Sequence, residues 1–109
     1  MRPYEAMVIF DADLDEEAIR SVIERSLDIV RTSGGEPGGV DHWGKRRFAY
    51  ELRHRWEGYY VVFQAQAEPA TVTELNRFLS LADEVVRHRV VTIPPNMFGK
   101  TRPPAQADS

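Results

Sequence analysis

Two segments with the apolar spacing of a helix stand among four segments with the composition of a strand, and their order restricts the possible folds. The helical segments run from Glu16 to about Thr32 and from Pro69 onward, with apolar residues every three or four positions. The other segments are rich in β-branched and aromatic residues, as strands are. The predicted strands span residues 3–10, 40–54, 59–67 and 84–93.

The order β-α-β-β-α-β predicts an α+β, ferredoxin-like fold, in which two strand–helix–strand crossovers flank a central hairpin. Both helices then cover one face of a four-stranded antiparallel sheet, and the other face is open. The 109 residues fit a single domain, which we assign to residues 1–93. Residues 94–109 are rich in proline and have no periodicity, so we predict a flexible C-terminal tail.

The charge of the chain is unevenly distributed. The formal net charge is −3, which argues against a simple nucleic-acid coat. Residues 37–67, however, hold five basic residues against three acidic ones. Phosphate binding is therefore expected only at a local patch, and this third of the chain is the best place for it.

Several other chemistries find no support in the sequence. There is no cysteine, and His42, His54 and His88 lack the spacing of metal ligands, so we expect no metal site. No nucleophile and base are placed together, so we expect neither an enzyme nor a cofactor. The N-terminus has no signal pattern and no apolar run approaches the ~18 residues of a membrane span, which favours the cytosol without a membrane partner.

Strand alternation divides the side chains between the two faces of the sheet. It places Met7, Ile9, Tyr60 and Val62 on the open face, as an apolar patch that we expect a protein partner to cover. In the stretch GKRRFAYEL, residues 44–52, alternation directs Lys45 and Arg47 to the open face and Arg46 and Phe48 to the helices. A bulge at Gly44 would shift this register by one residue. Three cations on a strand are either a binding surface or a solvated edge, and the residues alone leave both open.

Several motifs together resemble the bacterial small-subunit ribosomal protein six family. They are MRPYE at the start, LDEE at the first helix, and GKRRFAYEL followed by EGYYVVF, and the resemblance covers about residues 1–93. MRPYE, VDHWGKRR and PATVTEL are similar to the actinobacterial branch, and a diverged second copy of that protein is an alternative within the family. The resemblance implies a structural, non-enzymatic component of the cytoplasmic 30S subunit with the fold given above. It further implies binding to the central domain of 16S ribosomal RNA together with small-subunit ribosomal protein eighteen.

The expected contact residues fall into two groups. For RNA we select arginine and lysine side chains, since these suit phosphate: Arg2, Lys45, Arg46, Arg47, Arg87 and Arg89. If the first and fourth strands are neighbours, as in the family, Arg2 should lie close to Arg87 and Arg89, with His88 on the helix side. For the protein partner we select the open-face patch and two apolar residues of the tail: Met7, Ile9, Tyr60, Val62, Met97 and Phe98.

Two alternatives compete with this hypothesis. A ferredoxin-like regulatory dimer that binds a small ligand is disfavoured, because the turn DADLDEE after the first strand is acidic and free of glycine. A sheet that stacks single-stranded RNA bases on the aromatic run EGYYVVFQ needs those rings on the open face. Tyr60 qualifies, but Tyr59 and Phe63 fall on the helix side.

Overall fold

The computed structural model describes residues 1–52 and 55–99. Its four strands form one antiparallel sheet in the order β2-β3-β1-β4. The predicted α+β, ferredoxin-like arrangement is confirmed. The elements in chain order are β1 Arg2–Asp11, α1 Glu16–Thr32, β2 Glu36–Leu52, β3 Arg55–Ala67, α2 Pro69–Leu81, β4 Val85–Thr92 and a 3-10 turn at Pro95–Met97.

Local interactions explain where each of the two α-helices begins. The Asp15 side chain accepts a hydrogen bond of 2.9 Å from the backbone N–H of Ala18, which satisfies a free donor in the first turn of α1. Pro69 opens α2 at a position where the missing N–H has no cost. These are the starts that the sequence predicts, to within a residue.

The main core lies between the helices and one face of the sheet. Val8 and Phe10 of β1 and Val61 and Phe63 of β3 are buried there. The helices contribute Ile19, Val22, Ile23, Leu27, Leu75 and Leu79. Alternation in β1 and β3 and the three- and four-residue spacing in the helices predict this face correctly.

Both strands of the central hairpin begin four residues earlier than predicted. β2 begins at Glu36, where the glycines around Pro37 suggested a loop, and β3 begins at Arg55. Within β3, only residues 58–67 pair with β1. Residues 55–57 of β3 and the residues of β2 that pair with them, 47–52, therefore project past the sheet as a two-stranded arm. Pairing within the arm reaches Leu52↔Arg55. The predicted strand residue His54 lies outside the described residues.

Candidate RNA and protein interface on the open face

A bulge at Gly44 sets which side chains reach the open face. The β2–β3 register shifts between His42 and Gly44, and Gly44 has a φ of 86°, a conformation that glycine adopts without steric cost. After the shift, Gly44 lies opposite Tyr60 and Arg46 opposite Gly58. The bulge that the sequence suggests at Gly44 is therefore present.

The bulge reverses the predicted faces in the stretch 45–48. Because paired residues share a face, Lys45 opposite Tyr59 points to the helix side, and Arg47 follows it. Arg46 and Phe48 turn to the open side. The alternation-based prediction was wrong here, since one extra residue in a strand exchanges its faces.

Phe48 and Trp43 build a second, smaller cluster on the open face. Phe48 packs with Ile9 and Tyr60, its ring centroid 6.3 Å from that of Tyr60, and Met7, Trp43 and Val86 surround these three. A Cβ at Gly58 would lie 2.9 Å from Phe48 Cζ and 2.6 Å from Ile9 Cγ2. The absence of a side chain at Gly58 is thus what lets the ring of Phe48 lie against the sheet.

The expected exposed apolar patch is therefore mostly covered by the chain itself. The exposed fractions are 1% for Ile9, 0% for Tyr60 and 6% for Val62, so the expectation that they are exposed was wrong. Phe48 and Trp43, placed by the bulge, provide much of the cover. Met7 alone among the predicted patch residues keeps a partly exposed side chain.

A groove remains beside this cluster. Its volume is about 200 Å³, and its lining is apolar except for Glu5 at one end and Arg89 at the rim: Glu5, Met7, Trp43, Val62, Arg89 and Val91. A surface with an apolar floor and a charged rim is typical of a protein contact.

Two arginines stand beside the groove on β4. Arg87 lies opposite Ile9 and Arg89 opposite Met7, so both share the open face, and both are exposed. Residues two apart on a strand are separated by about 7 Å. His88 lies between them and opposite Val8, on the helix side as predicted, where burial lowers its pKa below the usual 6.5.

Arg2 does not join this pair. It lies opposite Ala67, whereas Arg89 lies opposite Met7, five residues further along β1. At about 3.3 Å per residue these positions are roughly 16 Å apart. The expectation that Arg2 is close to Arg87 and Arg89 was wrong, because β1 and β4 are antiparallel and Arg2 lies at the far end of the pairing.

The remaining predicted cations lie at the base of the projecting arm. Lys45 and Arg47 are exposed, and Arg46 is half-buried. The Nε of Arg46 is buried and has no hydrogen-bond partner within the described part of the chain. Arg55, which sequence reasoning missed, forms an ion pair of 2.8 Å with Asp11 and fixes the arm to the end of β1.

The two tail residues also lie on the open face, against the chain's own sheet. Met97 and Phe98 are half-buried there. Gln64 of β3 donates a hydrogen bond of 3.4 Å to the Met97 carbonyl and accepts one of 2.6 Å from the Gly99 N–H. The domain boundary at residue 93 stays a prediction, and residues 100–109 of the predicted flexible tail lie outside the described residues.

Other kinds of site find no geometric support in the part of the chain that the structure describes. No group of three or more histidine, aspartate or glutamate residues is arranged to hold a metal ion. Among the same residues, no helix combines the length and the apolar character needed to cross a membrane.

Sequence reasoning missed that Trp43 and Phe48 cover the open face. It also missed that Gln64, which strand alternation does place on that face, binds the backbone of the tail. For Trp43 and Phe48 the sequence signal was Gly44, which follows the bulged residue and precedes the basic run 45–47. For Gln64 the signal was weak, since a glutamine in an apolar strand has several ordinary uses.

The fold and this face together define a split βαβ domain whose sheet presents arginines beside an apolar groove. The family model for Ribosomal protein S6 matches residues 3–92, so the chain belongs to that family. Small ribosomal subunit protein bS6 of Mycolicibacterium paratuberculosis is 52% identical over 91 residues, which cover 84% of this chain and 95% of the relative. The protein of the same name from Carboxydothermus hydrogenoformans is 47% identical over the same shares.

A solved structure of a family member agrees with this assignment. The crystal structure of 30S ribosomal protein S6 from Thermotoga maritima superposes with a TM-score of 0.78 at 29% identity, covering 84% of this chain and 87% of that one. The C-terminal domain of the MgtC protein from Mycobacterium tuberculosis superposes with a TM-score of 0.58 at 16% identity. The second likeness concerns the fold alone.

Proposed function

We propose that this protein is a structural, non-catalytic component of the bacterial small ribosomal subunit in the cytoplasm, where it binds ribosomal RNA. Its curated relatives carry the name small ribosomal subunit protein, and the chain spans nearly their whole length. The observation that carries the proposal is the position of Arg87 and Arg89 beside the groove. One face of the sheet thus offers phosphate contacts and an apolar protein contact side by side.

The RNA contacts are assigned to three separate places. Arg87 and Arg89 form the open-face pair; Lys45, Arg46 and Arg47 form the arm group; Arg2 stands at the far end of β1. The net charge of the chain is −3 and these cations lie apart, so binding releases few counterions from the RNA. Counterion release therefore adds little to the affinity for RNA. The RNA affinity of the isolated protein is therefore low.

A protein partner supplies the remaining affinity. We assign this role to small-subunit ribosomal protein eighteen and the RNA target to the central domain of 16S ribosomal RNA. The groove between Trp43 and Arg89 supports a protein contact there, with Met7 at its floor. A partner bound in it places its own cations next to Arg87 and Arg89, so both proteins contact one RNA surface.

The test is a binding titration with the central-domain RNA fragment at physiological salt. We expect a dissociation constant below about 1 µM only when both proteins are present, and much weaker binding for either one alone. Equally tight binding by this chain alone would contradict the role of the partner. A lack of RNA binding in every mixture would contradict the function itself.

A further inference from the structure

After β4 the chain turns back across the open face of its own sheet. The Ile93 N–H donates to the Pro3 carbonyl at 3.1 Å, which extends the β1–β4 pairing by one residue. The 3-10 turn follows, and Phe98 then reaches Gly38 of β2 at the other side of the sheet. We call residues 94–99 the C-terminal strap, since they lead from the end of β4 to Gln64 of β3 and Gly38 of β2.

Gln64 holds the strap by its backbone. Its Nε2 donates to the Met97 carbonyl and its Oε1 accepts from the Gly99 N–H, so one carboxamide binds the main chain on both sides of Phe98. The Gln64 side chain is buried and its Nε2 is also 3.5 Å from Glu5 Oε1. Main-chain hydrogen bonds combined with a hollow for one side chain are the usual means of binding a peptide.

Gly38 provides that hollow. A Cβ at Gly38 would lie 3.2 Å from Phe98 Cε1 and 3.1 Å from the Gln64 carbonyl oxygen, which is tighter than most real contacts. The next residue offers a contrast, because a Cβ at Gly39 would have no atom within 4 Å. The ring of Phe98 therefore rests on bare backbone at Gly38.

We propose that Gln64 and Gly38 form a peptide-binding site, that Met97–Phe98–Gly99 fills it in the free protein, and that a protein partner must displace the strap to occupy the whole open face. The last part rests on the function proposed above. The ligand is an extended peptide with one aromatic side chain, flanked by a backbone carbonyl and a backbone N–H that can both hydrogen-bond to Gln64. The chain's own strap shows this chemistry.

The position of the strap explains why it competes with a partner. Glu5 lines the groove and also neighbours Gln64, so the groove ends where the strap begins. A partner longer than the groove meets the strap there. Its apparent affinity is reduced by the fraction of molecules in which the strap is docked.

Two substitutions release the strap by different routes, and each has a matched control. Gln64→Ala removes both hydrogen bonds, and its control is Gln66→Ala, one pleat further on the same face, whose side chain makes no hydrogen bond within the described residues. Gly38→Ala crowds Phe98, and its control is Gly39→Ala. All four are made in the full-length chain.

The first readout needs no partner: the hydrogen exchange of the Gly99 amide, followed by NMR. We expect slow exchange in the wild type and in both controls, and exchange faster by about tenfold or more in Gln64→Ala and Gly38→Ala. Fast exchange in the wild type would show that the site is empty and would overturn the proposal.

The second readout is the affinity for small-subunit protein eighteen, without RNA. We expect Gln64→Ala and Gly38→Ala to bind about three- to tenfold more tightly than the wild type, and the controls to bind unchanged. Unchanged or weaker binding by both released variants would overturn the displacement. Absence of binding by every variant, with Gly99 protected, would refute the proposed partner and leave the filled peptide site standing.

Discussion

The two faces of the sheet are both largely closed to solvent, but by different means. The helix-side face is covered by α1 and α2, whose apolar stripes meet Val8, Val61 and Phe63. Among the described residues no α-helix lies on the open face, which is covered by Phe48, by Trp43 and by the strap. An apolar sheet face is therefore not in itself a vacant partner surface. What remains for a partner is the groove between the aromatic cluster and the strap.

The largest expected effect is on the free energy of unfolding, when one phenylalanine from each face of the sheet is replaced. Phe63 and Phe48 are both buried, but Phe63 belongs to the large cluster and Phe48 to a cluster of three. We expect Phe63→Ala to lower the free energy of unfolding by about 3–5 kcal/mol and Phe48→Ala by about 2 kcal/mol, because the arm can settle into the space. Urea denaturation measures both. A larger loss for Phe48→Ala would show that the open-face cluster is the main core.

The next largest effect is expected for a substitution of Gly58, which tests how the open face is covered. Gly58→Ala puts a methyl group against Ile9, Phe48 and the Phe10 carbonyl, so we expect a loss of about 2–3 kcal/mol in the free energy of unfolding. Gly39→Ala, in open space, is the control and should change stability by less than about 0.5 kcal/mol. Equal stability of the two variants would mean that Phe48 does not lie over Gly58.

The difference between the faces also explains what could be predicted from the sequence. Helix spacing and alternation in β1 and β3 are regular, so the helix-side core follows from counting residues. In β2 the bulge before Gly44 exchanges the faces of residues 45–48, and counting then assigns Lys45 and Phe48 wrongly. The strap was unpredictable for another reason: it is held by one glutamine carboxamide and one bare glycine, which have no periodic signal.

The arginine pair gives an intermediate effect, on RNA binding rather than on folding. Charge reversal of Arg87 and Arg89 together should weaken RNA binding by the complete protein–partner mixture by about tenfold or more. The slope of log affinity against log salt concentration should decrease by about 2. Arg20→Glu with Arg77→Glu, exposed residues of the two helices, makes the same change in net charge and should have little effect. An unchanged slope in the β4 variant would exclude Arg87 and Arg89 from the RNA site.

The smallest expected effect is a pH dependence from His88. Burial lowers the pKa of His88 in the folded chain, so the unfolded chain binds a proton first as the pH falls. Its contribution to stability is therefore constant above the unfolded pKa of about 6.5 and is lost as the pH decreases from there toward the lowered pKa. His88→Gln should flatten this part of a plot of unfolding free energy against pH. The same decline in His88→Gln would assign it to other groups.

The most direct test of the ribosomal assignment is sedimentation of a cell lysate through a sucrose gradient, with this chain detected by antibody. We expect the protein to migrate with the 30S and 70S particles and to stay with them in moderate salt, where loosely bound proteins are released. Lysates from several growth phases are compared, so that a second copy of the protein that is made only under some conditions is also detected. A protein that remains at the top of the gradient in every phase would contradict the assignment.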